Sequence, residues 1–262
     1  MVDSLKPLFA QLRLCVLILL LTCMLRPANA QLTKDSSVDE ILDALHARGK
    51  DLKSFICDVS MTETDLATGD APVRSGKVWF QMKGENDGRI RVEFDKVKRE
   101  EDPEPKKQQI VYILDNGKLV ERNYDPRKKS QATHQVLKPG EKLNLLKLGE
   151  GPFPLPIGQP KDDVKRLFEV TKIPPGKDEP SDTVHVKLSP LPDTQFSRKF
   201  KFIDVWIDAQ NMPTRILTED NTTERDTRLE NIQLNPSLSD QDFELENIDL
   251  KGWNVTEDSF QK

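Results

Sequence analysis

The first regular pattern of apolar positions predicts one amphipathic helix. Apolar residues recur at i, i+3, i+4 and i+7, which places them on one helix face; they are Val38, Ile41, Leu42 and Leu45. Ser37 followed three residues later by Glu40 is a capping box, and Gly49 is a plausible end of the helix. We expect this helix to lie against an apolar surface, as a lid or a brace, with its charged side in water.

Beyond Ser54 the apolar period changes to 2, which is typical of strands with one buried face. Three successive segments alternate in this way: Phe55, Cys57, Val59 and Met61; Val78, Phe80 and Met82; Ile90, Val92 and Phe94. Residues 109–114 are apolar on both faces. The turn signal Asp115-Asn116-Gly117 and the return segment 118–124 complete a predicted hairpin. An antiparallel meander is the natural topology.

The second half of the chain continues the same pattern. Four more strands are predicted, at 183–188, 201–208, 214–218 and 227–234. A short helix is expected at 162–168. Three charged or Pro-rich segments are expected to be solvated surface loops; they are 96–107, 151–160 and 173–182. The pattern therefore predicts a mainly β protein with about 9–11 strands and a few helices.

The first thirty residues have the features of a secretory signal peptide. An apolar run at 14–25 follows Lys6 and Arg13 and precedes Ala28-Asn29-Ala30, an A-x-A cleavage site. Twelve residues rise about 18 Å as a helix and cannot cross a hydrocarbon core of about 30 Å. We expect residues 1–30 to be removed and 31–262 to form a single exported domain. An uncleaved anchor, or a lipoprotein cut before Cys23, is the alternative.

Charge and cysteine content narrow the classes of partner and of site. The net charge is −5, and it becomes −7 once Lys6, Arg13, Arg26 and Asp3 leave with the signal peptide. Nucleic acid is therefore not an expected partner, because its binders carry a net basic surface. Cys57 remains as a lone cysteine, so no intramolecular disulfide is expected, and we expect it to be a buried apolar side chain.

Motifs for catalysis or metal binding are missing from the sequence. The three histidines, His46, His134 and His185, lack the spacing of a zinc site, and no nucleophile elbow, phosphate-binding loop or dinucleotide fingerprint occurs. We therefore expect a protein that is not an enzyme and has no metal or cofactor. Two interpretations of the long meander remain open: a curved sheet that encloses an apolar cavity, and a sandwich whose core is filled.

An ordered series of short motifs runs through the chain. The stretch 38–95 contains Gly76, Trp79-Phe80 and Arg91-Val92-Glu93-Phe94, and a hairpin motif follows at 110–120. The C-terminal motifs are Val205-Trp206-Ile207-Asp208, Met212-Pro213-Thr214-Arg215, Leu229-Glu230-Asn231-Ile232, Leu234-Asn235-Pro236 and Asp242-Phe243. In this order the series resembles the LolA-like family, the periplasmic carriers of outer-membrane lipoproteins. Typical carriers have Arg-Pro where this chain has Met82-Lys83-Gly84-Glu85, which indicates a divergent member.

The resemblance implies an unclosed antiparallel β-barrel covered by helices, with an apolar cavity that shields acyl chains. The cavity-lining residues would be Phe55, Val59, Val78, Phe80, Ile90, Val92, Phe94, Phe202 and Trp206, with Ile41, Leu42 and Leu45 on the covering helix. It implies a monomeric periplasmic carrier of acylated lipoproteins or lipids, with an inner-membrane exporter and an outer-membrane acceptor as partners. The alternative is an envelope sensor that uses the same fold to detect lipid or mislocalised lipoprotein and binds a protein partner.

Overall fold

Twelve strands form one sheet in the computed structural model, which describes residues 31–138, 140–146, 157–176 and 182–258. The predicted signal peptide lies outside the described residues, as does most of the predicted loop 151–160. The strands are β1 (Ser54–Asp65), β2 (Val73–Gly84), β3 (Asp87–Lys98), β4 (Lys106–Asp115), β5 (Lys118–Asn123), β6 (Ser130–Gln135), β7 (Phe168–Ile173), β8 (Val184–Pro190), β9 (Phe202–Ile207), β10 (Pro213–Glu219), β11 (Thr223–Leu234) and β12 (Asn254–Asp258).

The sheet is open rather than closed into a barrel. Its order is β12-β6-β5-β4-β3-β2-β1-β11-β10-β9-β8-β7, and every neighbouring pair is antiparallel except β12 with β6. Within the described part of the chain, β12 and β7 form the two free edges. The prediction of an unclosed, mainly antiparallel sheet is confirmed. Three of the twelve strands, β6, β7 and β12, are absent from the sequence prediction.

Helix α1 (Val38–Asp51) covers one face of the sheet, which we call the inner face. The predicted capping box is present: Ser37 N donates to Glu40 Oε2 at 2.7 Å, and Glu40 N donates to Ser37 Oγ at 3.3 Å. Ile41, Leu42 and Leu45 are fully buried in the main hydrophobic cluster. Burial of about 1.5–3 kcal/mol per leucine or isoleucine side chain fixes the helix to the sheet.

A second helix and two polar contacts hold α1 in place. Helix α2 (Lys161–Leu167) lies beside α1, and Lys161 Nζ is 2.9 Å from Asp43 Oδ2. At the C-terminal end of α1, Arg48 Nε donates to the backbone oxygen of Gln210 at 2.8 Å. Both contacts are exposed and screened by solvent, so each contributes little to stability. The apolar stripe therefore provides most of the attachment of α1.

The opposite, outer face is crossed by residues 236–253, which we call the C-terminal strap. Arg91 Nη1 donates to the backbone oxygen of Glu244 at 2.8 Å, and Arg122 Nη1 donates to that of Glu246 at 2.6 Å. Val111 and Ile113 of β4 lie between these arginines and are 1% and 5% exposed. The strap explains why 109–114 is apolar on both faces. No helix in the described ranges is long and apolar enough to span a membrane.

Candidate functional site: an apolar pocket on the inner face

Cross-strand pairs of large apolar side chains form the floor of the inner face. Phe55 of β1 lies opposite Phe80 of β2, and Phe80 lies opposite Ile90 of β3. The rings of Phe55 and Phe80 stack with their centroids 5.0 Å apart and an interplanar angle of 20°. Stacked aromatic pairs add about 0.5–1.5 kcal/mol to the area they bury. The floor is therefore both apolar and well fixed.

A small apolar pocket lies on this floor. Its volume is about 30 Å³, which is room for a water molecule or two and about a tenth of a small ligand pocket. Nine apolar side chains and one threonine line it: Phe55, Val59, Val78, Phe80, Ile90, Leu145, Leu146, Ile216, Thr227 and Leu229. The inner face is thus almost filled, and an acyl chain does not fit without displacement of a wall.

One wall of the pocket is a short segment without regular structure, Leu143–Leu146, which we call the leucine segment. Leu145 and Leu146 are 5% and 6% exposed. Gly88 N donates to the backbone oxygen of Leu143 at 2.9 Å, and Asn144 Nδ2 is 3.3 Å from Asn86 Oδ1. Leu146 N also donates to Asn144 Oδ1 at 3.0 Å, and Gln159 Nε2 is 3.5 Å from the backbone oxygen of Leu146. This wall belongs to neither the sheet nor a helix, so it is the part of the pocket that costs least to move.

A wider, polar groove meets the pocket at Leu146. The groove has a volume of about 610 Å³ and lies between the end of α1, the β2–β3 turn and residues 157–160. Its polar lining includes Lys50, Lys53, Asn86 and Gln159, and Leu146 lines both the groove and the pocket. A ligand with an apolar tail and a polar end would match this succession of surfaces.

Residues 157–160 are docked tightly on α1. Ile157 is fully buried, although the sequence predicts 151–160 as a solvated loop. Gly158 N donates to the backbone oxygen of Leu45 at 3.1 Å, and His46 Nδ1 is 3.0 Å from the backbone oxygen of Gly158. The prediction is wrong at Ile157 because a single large apolar residue is enough to anchor a Pro-rich segment.

Ten of the twelve residues predicted to line the cavity lie in the main hydrophobic cluster. They are Ile41, Leu42, Leu45, Phe55, Val59, Val78, Phe80, Ile90, Val92 and Phe94. Five of these ten line the pocket itself: Phe55, Val59, Val78, Phe80 and Ile90. Their burial follows the predicted alternation. Ligand binding by this set stays a prediction.

The placement of Phe202 and Trp206 on the inner face is wrong. The side chains of β9 that belong to the hydrophobic cluster are Ile203, Val205 and Ile207, so Phe202 and Trp206 lie on the outer face. Trp206 is nevertheless only 4% exposed, because it stacks with His185 (centroids 4.0 Å apart) and its ring lies 4.3 Å from Arg215 Cζ. Asp204 lies between Phe202 and Trp206 on the same face, so the alternation itself favours Ile203, Val205 and Ile207 as the inner face, and the wrong placement came from the family resemblance.

Cys57 lies on the inner face and is 1% exposed. Burial raises the pKa of its thiol to about 12, and the neighbouring Asp58 carboxylate adds to the rise. The thiolate is the reactive form of cysteine, so this residue is inert at neutral pH. Among the residues that the structure describes, no group of three or more His, Cys, Asp or Glu side chains is arranged to hold a metal ion.

The leucine segment is the part of the site that sequence reasoning missed. Leucines cluster at 143, 145, 146 and 148 without a period of 2 or 3.6. An aperiodic apolar cluster between charged residues is itself a signal of a buried loop. Ile216, Thr227 and Leu229 were also missed as lining residues, although all three lie in predicted strands.

Comparison with known proteins shows distant structural similarity. No protein-family model and no curated protein sequence matches the chain. An uncharacterized conserved protein from Thermus thermophilus has a TM-score of 0.44 and 10% identity, over 85% of this chain and all of that one. LprF from Mycobacterium bovis has a TM-score of 0.40 and 16% identity, over 76% of this chain and 94% of that one.

A LolA superfamily protein from Nitrosomonas europaea has a TM-score of 0.30 and 12% identity, over 78% of this chain and 97% of that one. It belongs to the superfamily that the sequence motifs resemble. At these TM-scores and identities the matches do not define a function.

Proposed function

We propose that this protein binds the acyl chain of a lipid or a lipoprotein on the inner face of its sheet and carries it through the periplasm. The observation that supports the proposal is the almost entirely apolar pocket, one wall of which is the leucine segment. Here a loop segment that belongs to no helix or strand fills the space that a ligand would need.

Displacement of the leucine segment sets the size of ligand that binds. Exposing Leu145 and Leu146 costs about 1.5–3 kcal/mol each, or about 3–6 kcal/mol together. Each methylene of a ligand that takes their place gains about 0.8 kcal/mol. Chains of more than about eight methylenes therefore outcompete the two leucines. Membrane lipids and acylated proteins carry chains of greater length, whereas short fatty acids do not.

The polar end of the ligand would lie in the groove beyond Leu146. Three lysines, Lys50, Lys53 and Lys83, line this groove against two carboxylates, Glu85 and Asp163. The excess of positive charge is expected to favour an ester or phosphate oxygen over a positively charged group. A volume of about 610 Å³ is within the range of ligand sites, so a headgroup or the first residues of an acylated peptide can be accommodated.

The resemblance to lipoprotein carriers extends the proposal to partners. The protein would receive its cargo from an inner-membrane exporter, deliver it to an outer-membrane acceptor, and act as a monomer that catalyses no reaction. Its export depends on the predicted signal peptide at residues 1–30.

Native mass spectrometry of the protein purified from the periplasm of its own host tests the proposal. We expect about one acylated molecule per chain, identified after extraction. As a control, the same measurement is made on Val78→Phe, which fills the pocket floor and is expected to reduce occupancy. A ligand-free mass from protein that also binds no added palmitoyl lipid would contradict the proposal.

A further inference from the structure

A second groove, at the end of the sheet formed by the β3–β4 and β5–β6 connections, is basic. Its volume is about 630 Å³. Four cationic side chains line it, Arg99, Lys106, Lys107 and Arg127, against one carboxylate, Asp125. The chain as a whole is net negative, so this groove has the opposite sign to the average surface. We call it the basic groove.

Two cations of the basic groove are not neutralised by ion pairs. Lys106 pairs with Asp102, and Arg127 Nε is 3.7 Å from Asp125 Oδ1. Arg99 and Lys107 form no direct ion pair with any residue in the described ranges. The hydrogen bond from Lys106 and, more weakly, the charge of Arg99 lower the pKa of the Asp102 carboxyl, so Asp102 balances part of the positive charge here. The acidic side chains at the tip of the β3–β4 loop are exposed and do not line the groove; they are Glu100, Glu101 and Glu104. The groove therefore has free positive charge.

Amphipathic aromatic residues border the basic groove. Tyr124 lines it, and the ring of Trp253 meets the Tyr124 ring edge-on with centroids 5.4 Å apart. Lys129 Nζ lies 5.9 Å from the Trp253 ring centroid. Tyrosine and tryptophan beside lysine and arginine are enriched where proteins meet the interface of a membrane. The groove thus combines two features of a membrane-facing surface.

We propose that the basic groove docks the protein on the anionic lipid headgroups of a membrane surface. The cations come from the start of β4 and from the two connections; Lys106, Lys107 and Arg127 are exposed and Arg99 is half-buried. Each contributes little to a single bound ion, but together they attract a charged lipid surface. Tyr124 and Pro126 add apolar surface beside these cations, a combination that suits the headgroup layer of a membrane. An acidic protein is the alternative occupant, and the experiment below separates it from a lipid surface.

Vesicle sedimentation with the whole exported protein, residues 31–262, tests this docking surface. The probes are vesicles of phosphatidylglycerol mixed with phosphatidylcholine, and vesicles of phosphatidylcholine alone. We expect binding to the anionic vesicles only, and a strong loss at 1 M salt, where the Debye length falls to about 3 Å. The double variant Arg99→Glu/Lys107→Glu is expected to bind at least about tenfold more weakly.

A matched double variant separates local from general charge effects. Arg198→Glu/Lys199→Glu makes the same charge change at two exposed residues outside the groove and is expected to bind like the wild type. The proposal would be overturned if both double variants lost binding equally, or if the wild type did not bind anionic vesicles. It would also be overturned if millimolar inorganic phosphate competed with the vesicles, or if the protein bound polyglutamate instead of vesicles. Palmitoyl-lipid binding in the inner pocket is expected to be unchanged in both, so failure here leaves the proposed carrier function standing.

Discussion

Gly49 of α1 and Gly158 lie so close together that a Cβ atom placed on Gly49 would be 2.2 Å from Gly158 Cα. Real Cβ atoms do not approach a backbone atom to this distance. Gly158 also has φ +81°, which favours glycine at that position. The contact between α1 and the segment that borders the polar groove therefore depends on two glycines rather than on large side chains.

Gly49→Ala is expected to lower the free energy of unfolding by about 2 kcal/mol, because the methyl group pushes residues 157–160 away from α1. In an ordinary helix interior the same change raises the free energy of unfolding by up to about 1 kcal/mol. Urea denaturation measures the free energy of unfolding of the variant and of the wild type. Gly84→Ala is the control, since a Cβ there meets no atom closer than 4.0 Å. Stabilisation by Gly49→Ala would show that the close contact is not present in solution.

Val92→Asp is expected to destabilise the protein by several kcal/mol, because it places a carboxylate without a partner in the hydrophobic cluster. Val92 is 6% exposed, whereas Val255 is 51% exposed. Val255→Asp makes the same change on the surface and is expected to alter the free energy of unfolding by no more than about 0.5 kcal/mol. Thermal unfolding compares the two. Similar melting temperatures for both variants would mean that the inner and outer faces of β3 are assigned the wrong way round.

Cys57 is expected to resist thiol reagents in the folded protein at pH 8. Its folded-state pKa of about 12 lies above the ordinary value of 9.0, so the folded chain holds this proton more tightly than the unfolded chain. The contribution of Cys57 to stability is therefore full below pH 9 and is lost as the pH rises from 9 towards 12. Labelling with iodoacetamide, with and without urea, checks the first point. Fast labelling of folded protein would refute the burial of this residue.

Acyl chains are expected to bind only above a threshold length of about eight methylenes, because only longer chains replace the two leucines of the pocket wall. Competition of fatty acids of increasing length against a fluorescent acyl probe measures the threshold. Chains below it should not compete at any soluble concentration. A smooth increase in affinity that starts with the shortest chains would indicate a preformed cavity.

Alternation of apolar residues is sufficient to predict the inner face of β1, β2 and β3, because on those strands only one face is apolar. It also marks the inner face of β9, where Ile203, Val205 and Ile207 alternate with Phe202, Asp204 and Trp206. Stacking with His185 and Arg215 buries Trp206 on the outer face, so its burial does not mark the inner face. The family motif locates Trp206 along the chain but does not determine which face of the sheet its side chain occupies.

Strands that depend on backbone pairing were missed for a different reason. β6, with the sequence SQATHQ, has no apolar face, and all six side chains are half-buried. It is held by antiparallel pairing with β5 and parallel pairing with β12, which joins it from the far end of the chain. Such pairing leaves no periodic signal in the sequence. The leucine segment left a composition signal but no period, so its position over the pocket required the structure.

Affinity for a fluorescent palmitoyl probe in Leu145→Ala and Leu146→Ala variants tests the central claim most directly. Each substitution weakens the wall that competes with the ligand, so we expect about tenfold tighter binding than in the wild type, together with lower stability. Ile113→Ala, which removes buried apolar volume from the outer face, is the control and should lose stability without a gain in affinity. Unchanged or weaker binding in both leucine variants would contradict the claim that an acyl chain replaces the leucine segment.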